Sequence, residues 1–274
     1  MVLYNGQLLP ADEVRLPLPN RGLFFNDGFF ETLVLHQGRI RYLPHHWQRL
    51  QRAAQALQLA LPAQLSTAES LTATLVSLAA ASAVRVTTRF RLQLWRQGGG
   101  LYAPSSDDAN WLLTHQPFQP AHGPIRTCEL AGQVRTLASA VSFCKGPQAL
   151  TYVLAAQERQ QRGLDELILL SAEGYLAETV AASLAWIQGG TVFTPAASSG
   201  CVAGTRLAHL RDCAVRAGIG WQSGLYWPTE LLTAEAVFTA NIAGIRPVCW
   251  VQGTAFASAS HPLLQRLIQL DEVA

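Results

Sequence analysis

Residues 29–43 read FFETLVLHQGRIRYL, apolar and polar residues alternating on either side of Gln37-Gly38. This is the signature of a β-hairpin. Upstream, VLYNGQLL (2–9) repeats the pattern around Asn5-Gly6. Downstream, HHWQRLQRAAQALQL (45–59) sets Trp47, Leu50, Ala53, Ala54 and Leu57 on one helical face, bracketed by Pro44 and Pro62. The spacing predicts a second helix over Ala63–Ala83. VRVTTRFRLQLW (84–95) then alternates as a long strand with basic and polar side chains on one face, and WLLTHQPF (111–118) as another. The first part of the chain is therefore expected to be an α+β unit.

The run QPFQPAHGP (116–124) carries three prolines and a glycine and reads as a linker. We therefore expect a small α+β domain over 1–115, a linker over 116–124 and a larger domain over 125–274. In the larger domain, ALTYVLAAQERQQRG (149–163) predicts a helix stopped by Gly163, ELILLS (166–171) a buried strand, and SLAWIQGGTVFTP (183–195) a hairpin at Gly189-Gly190. TRLAHLRDCAVRAG (205–218) predicts a helix, AEAVFTAN (234–241) a strand, and HPLLQRLIQLDEV (261–273) a closing amphipathic helix. The fold class expected is α+β or mixed α/β in two domains.

The composition, 49% hydrophobic and 14% charged over 274 residues, is globular and carries too little charge for a disordered tail or a nucleic-acid arm. A net charge of +2 points to no acidic polymer as partner. The most apolar stretch, Leu71–Val84, is broken by Thr and Ser and falls short of a membrane span. The start MVLYNGQLLPADE lacks a basic segment followed by an apolar one, so no secretory signal and a cytoplasmic location are expected. The five cysteines form no CxxC pair and no zinc spacing, so neither metal nor disulfide is expected.

Of the 20 basic residues, 19 are arginine and one is lysine, Lys145. A guanidinium keeps its proton near neutral pH, whereas a buried ammonium can lose it and attack a carbonyl. Lys145 is therefore the candidate for a Schiff base, the other reading being a remnant in an arginine-biased chain. A cofactor such as pyridoxal phosphate needs that amine, an acid for its pyridine nitrogen and a pocket for its phosphate. Glu178 offers the acid, although alone it reads equally as a solvated strand-end glutamate. Gly204 and Thr205 precede a helix and offer backbone N–H groups and a hydroxyl to a phosphate, or an ordinary helix cap. Arg49 offers a phosphate cation or a solvated helix arginine.

Order and spacing together resemble the class IV aminotransferases, the fold type IV pyridoxal-phosphate enzymes, over nearly the whole chain. The matching features are FFNDGFFETLVL (24–35), the His46-x-x-Arg49-Leu50 pattern, a mid-chain lysine, and the run from Asp165 that ends in Gly174-x-x-x-Glu178. Thr194-Pro195 and Gly204-Thr205-Arg206 follow in order. The resemblance implies that Lys145 forms the Schiff base and shuttles the α-proton, and that Glu178 pairs with the pyridine nitrogen. Arg49, Gly204 and Thr205, with Ala240 or Asn241, would hold the phosphate. It also implies a cofactor between two domains and a homodimer acting on a small amino substrate. Three features depart from the family pattern: Ser183-Leu184-Ala185-Trp186 follows the glutamate, GPQAL follows the lysine, and no Arg-x-His pair occurs in 95–102.

Within that resemblance, the short chain, DGFFET and NIAGIRPV (241–248) look most like the aminodeoxychorismate lyase branch, which releases pyruvate. An amino-acid transaminase for branched-chain or D-amino acids would share every cofactor residue, and a binding protein that has lost the chemistry is a third reading, against which Lys145 argues. Arg89, Arg91 and Arg96 are candidates for a substrate carboxylate or for a solvent-facing strand. Phe30 offers no hydroxyl for a carboxylate trap.

Overall fold

The computed structural model describes every residue except Arg85, His122 and Ala274, so Arg85 of the expected strand run and His122 of the expected linker lie outside the described residues. The described residues divide into two compact units, Met1–Gln119 with Cys144–Pro147, and Pro120–Phe143 with Gln148–Ala274. Gln116 and Pro117 of the expected linker run are the last residues of a strand.

The first unit contains, in order, β1 (Val2–Tyr4), β2 (Gln7–Leu9), α1 (Arg21–Phe25), β3 (Gly28–His36), β4 (Arg39–Ile40), α2 (Leu43–Ala56), α3 (Ala68–Ala81), β5 (Thr88–Arg96) and β6 (Ala109–Pro117). Among the described residues its strands form one antiparallel sheet in the order β2-β1-β6-β5-β3-β4. Both expected hairpins are present, and their turns at Asn5-Gly6 and Gln37-Gly38 hold two successive positive φ angles, 48° and 86°, then 49° and 75°. That backbone twist matches the right-handed twist of the flanking strands.

The expected first helix is α2, with Pro44 inside its first turn, where the N–H that proline lacks has no helical partner to lose. The expected second helix begins later than its apolar pattern does. Thr67 and Ser70 cap each other's backbone N–H groups at 3.0 Å and so start α3 at Ala68, leaving a single 3-10 turn at Ala63–Leu65. The long strand begins at Thr88, not Val84, because its ladders with β3 and β6 start there, at Leu35–Thr88 and Thr88–Pro117. Along β5, Phe90, Leu92 and Leu94 are fully buried while Arg89, Arg91 and Gln93 take the other face.

The second unit contains β7 (Cys128–Thr136), α4 (Ala149–Gln161), β8 (Glu166–Ser171), β9 (Leu176–Thr179), β10 (Ser183–Gln188), β11 (Thr191–Pro195), α5 (Thr205–Arg216), β12 (Gly220–Gly224), α6 (Pro228–Leu231), β13 (Ala236–Asn241), β14 (Gly244–Val248), β15 (Trp250–Val251), β16 (Thr254–Ala255) and α7 (Pro262–Val273). Among the described residues these strands form two mixed sheets, β12-β11-β10-β13-β14 and β16-β15-β7-β8-β9. Trp186, Leu184 and Val237 of the first sheet pack with Ile168, Leu176 and Val251 of the second in one apolar core. On its other face the first sheet buries Ala185, Ile187 and Phe238 against Leu210 of α5 and Leu264 and Leu267 of α7. The mixed α/β class is as expected. No helix among the described residues is long and apolar enough to cross a membrane.

Gly28 of the DGFFE motif sits directly opposite Trp95 in the β3–β5 ladder, and a Cβ there would run into the Leu94 carbonyl oxygen. Gly28→Ala is expected to cost about 1–3 kcal/mol by overpacking, read as a lower urea midpoint at unchanged slope; an unchanged midpoint would contradict this packing.

Candidate active site

In the first unit the alternation of β3 sends Glu31 to the core face with Phe29 and Leu33, where it is 1% exposed. A carboxylate so buried must be paired. His46 and Arg49, three residues apart on α2, share one helical face and supply the partners. Arg49 donates from Nε to Glu31 Oε1 and from Nη2 to Oε2, both at 2.7 Å, and His46 Nδ1 lies 2.8 Å from Oε2. Burial pushes the Glu31 carboxyl up, but the charge of Arg49 and the hydrogen bonds from His46 and Arg49 outweigh it and hold the pKa at about 2. Burial pushes His46 down, with the charges of Arg49 and Lys145 adding to it and Glu31 opposing.

The main chain of Lys145 lies against the same strand. Phe30 N donates to the Lys145 carbonyl at 2.8 Å in a short antiparallel bridge, and Asn26 Nδ2 donates to the Gly146 carbonyl at 2.7 Å. Gly146, with φ 128°, permits the approach, because a Cβ there would come within 2.9 Å of Phe29 Cα. Thus the FFNDGFFE segment, which carries much of the family likeness, seats the lysine's backbone through Asn26 and Phe30.

On the other face of this sheet, the Arg91 guanidinium lies 3.6 Å from the centre of the Phe30 ring and donates to Gln93 Oε1 at 3.1 Å. Burial lowers the Arg91 pKa and the charge of neighbouring Arg89 lowers it further. Two cations on one face favour an anion between them. Arg96 is different. It is 6% exposed, bonds Asp27 at 3.0 Å and Asp107 at 2.9 Å, and donates to the Leu57 and Gln58 carbonyls. Its guanidinium ties β5 to the neighbouring loops.

In the second unit, Glu178 on β9 is 4% exposed, and its Oε1 accepts from Tyr152 Oη at 2.7 Å and from Val202 N at 3.0 Å. Gly204 follows two residues after Val202 and is the N-cap of α5, a position at which glycine supplies no side chain. A Cβ on Gly204 would collide with Ser183 Oγ, and Ser183 pairs with Ala240 across the β10–β13 ladder. Arg206 Nη1 donates to the Asn241 carbonyl at 3.2 Å, while its Nη2 is held by Asp271 of α7. Gly204, Thr205, Ala240 and Asn241, which the resemblance groups around the phosphate, therefore lie close together. Asn241 spends its side chain on the Ala181 carbonyl and on the Ala243 and Gly244 amides, so what it offers there is backbone. A cavity of about 170 Å³ opens beside Glu178, Ser183, Val202 and Gly204.

A helix start whose cap is a glycine, closely approached by small residues, suits a phosphate, and a buried carboxylate suits a ring N–H. The residues present thus fit pyridoxal phosphate. Glu31 and Tyr152 gained no role from the sequence. Glu31 is marked there only by its place in the FE motif, and Tyr152 by nothing.

Glu31→Gln removes the countercharge of a buried guanidinium and is expected to cost about 3–5 kcal/mol, measured by urea unfolding; a loss below about 1 kcal/mol would contradict the buried pairing. The histidine sets a pH dependence. Because folding lowers the His46 pKa below its ordinary 6.5, the unfolded chain binds more protons at acid pH, and stability falls as pH drops through and below that value. The fall in melting temperature from pH 7.5 to pH 5.5 should be smaller in His46→Asn than in wild type; equal falls would show that His46 contributes no such term.

The family model for amino-transferase class IV matches residues 28–251. Aminodeoxychorismate lyase of Bacillus subtilis is 24% identical over 262 residues, covering 95% of this chain and 89% of its own. D-alanine aminotransferase of Listeria monocytogenes is 26% identical over 285 residues, covering 98% and 93%. Among solved structures, 4-amino-4-deoxychorismate lyase from Pseudomonas aeruginosa superimposes with a TM-score of 0.82 at 27% identity over 97% of this chain and 96% of its own. The branched-chain aminotransferase of Thermoproteus uzoniensis shares the fold, with a TM-score of 0.87 at 22% identity over 99% and 93%. The chain belongs to the amino-transferase class IV family and is, as its motifs led us to expect, a pyridoxal-phosphate-dependent enzyme acting on a small amino substrate.

Proposed function

We propose that this enzyme uses Lys145 to attach pyridoxal phosphate and releases pyruvate from 4-amino-4-deoxychorismate or a close analogue. The observation that carries the choice of substrate is the cationic face of Arg89 and Arg91 beside Phe30, whose backbone bonds that of Lys145. Such a face suits a substrate that bears carboxylates beyond an α-amino acid's own, and an aliphatic side chain gains nothing from it. The likeness to the lyases of Bacillus subtilis and Pseudomonas aeruginosa supports the same branch.

In this reading Glu178 holds the proton on the pyridine nitrogen, and Gly204, Thr205 and the backbone of Ala240 and Asn241 bind the phosphate together with Arg49. When bound, the cofactor supplies an electron sink for the carbon that bears the substrate amine. With the cofactor bound, the Lys145 amine would take the proton from that carbon and give it to the enolpyruvyl group, which leaves as pyruvate when its carbon–oxygen bond to the ring breaks. Arg91, stacked on Phe30, and Arg89 orient the carboxylates. Arg96 is committed to Asp27 and Asp107, so we assign it to structure. Membership of an enzyme family favours this reading over a binding protein without chemistry. We further propose that the protein works as a homodimer in the cytoplasm.

Wild type loaded with pyridoxal phosphate should show a visible absorption band that Lys145→Ala lacks, and that substitution should lower turnover at least about a hundredfold. Pyruvate released from aminodeoxychorismate, with no bleaching to the pyridoxamine form by amino acids, supports the lyase. Bleaching by D- or branched-chain amino acids, without pyruvate release, would instead make this a transaminase. Arg91→Gln should raise KM for the lyase substrate roughly tenfold or more, as expected for loss of a charge-assisted bond; an unchanged KM would remove Arg91 from the substrate site.

A further inference from the structure

Tyr152 stands in the first turn of α4, and its ring packs against the core formed by Ala131, Ala155, Leu167, Leu169 and Val180. That packing leaves the ring little freedom, and its hydroxyl reaches Glu178 Oε1 at 2.7 Å. Val202 N donates to the same oxygen at 3.0 Å, so one carboxylate oxygen of a residue 4% exposed is engaged from two sides. Burial, with the neighbouring Glu178 carboxylate adding to it, pushes the Cys201 thiol up to about 11.

We propose that Tyr152 is a positioning residue that keeps Glu178 anionic and correctly oriented, and through it keeps the cofactor's ring nitrogen protonated. The proposal rests on the reading of Glu178 as the partner of that nitrogen. A buried carboxylate left to itself takes up a proton, because low dielectric disfavours its charge. Hydrogen bonds donated to the carboxylate reverse that preference. Where a carboxylate and a pyridine nitrogen share one proton, donors on the carboxylate leave the proton on the nitrogen. Tyr152 and Val202 are two such donors, and Val202 cannot be varied at its amide without moving the backbone. The Tyr152 hydroxyl, by contrast, can be removed by a side-chain substitution. Removing its hydroxyl shifts the shared proton toward Glu178 and weakens the electron sink without altering how substrate is recognised.

Tyr152→Phe deletes the hydroxyl and retains the packed ring, so the fold should survive. The direct readout is the 15N chemical shift of the ring nitrogen in protein loaded with 15N-labelled pyridoxal phosphate, which separates a protonated from a neutral pyridine. Wild type should give the protonated shift, Tyr152→Phe a shift displaced toward the neutral form, and Glu178→Gln a larger displacement. Turnover of Tyr152→Phe should fall on the order of tenfold, with KM nearly unchanged. If Tyr152→Phe keeps the wild-type 15N shift while Glu178→Gln moves it, the role of Tyr152 is overturned and that of Glu178 stands. If Glu178→Gln also leaves the shift unchanged, or wild type binds no labelled cofactor, the reading of Glu178 fails and the proposal with it.

Discussion

A carboxylate buried to 1% exposure on a β-strand organises the first unit. Glu31 cannot remain there unpaired, and two residues three apart on the next helix supply its partners, the Arg49 guanidinium and the His46 ring. Satisfying that requirement fixes the rotation of α2 about its own axis and its height on β3. It also fixes the guanidinium of Arg49 in a planar two-bond clasp, which lysine could not reproduce. Since Phe30 is the next residue on β3, the strand that is pinned by Glu31 is the strand that seats the backbone of Lys145. Structural charge pairing and placement of the Lys145 backbone meet on one strand.

The second unit solves a related problem with neutral donors. Glu178 is nearly as buried, and its Oε1 accepts from the Tyr152 hydroxyl and the Val202 backbone amide. Around it, close packing of Gly204 on Ser183 and the ladder from Ser183 to Ala240 bring the start of α5 and a strand end together. Arg206 and Asp271 secure that arrangement to α7, which shows why the last helix of the chain matters to a site far from it in sequence.

Much of this was legible in the sequence where local rules dominate. Hairpins at Asn5-Gly6 and Gln37-Gly38, the amphipathic α2 and the glycine-stopped helices α4 and α5 follow from turn chemistry and periodicity. β7 gave no comparable signal, since its ladder with β8 slips between Leu130 and Arg135 and so breaks the alternation a strand would show. The short strands β12 and β14 are polar or rich in glycine and proline and owe their extension to the neighbours they pair with. Among site residues, the lone lysine and the glycine at the helix start announce themselves by residue type. Arg89, Arg91 and Arg96 look alike in sequence, and only burial and partners separate the committed Arg96 from the other two. Tyr152 was invisible because its meaning depends on a contact 26 residues away.

Because the chain has a single lysine, attachment of the cofactor can be tested without ambiguity. Protein loaded with pyridoxal phosphate, reduced with borohydride and digested, should yield one phosphopyridoxyl-modified peptide, the one that contains Lys145. Modification confined to the N-terminal amine, or a Lys145 peptide recovered wholly unmodified, would contradict the account.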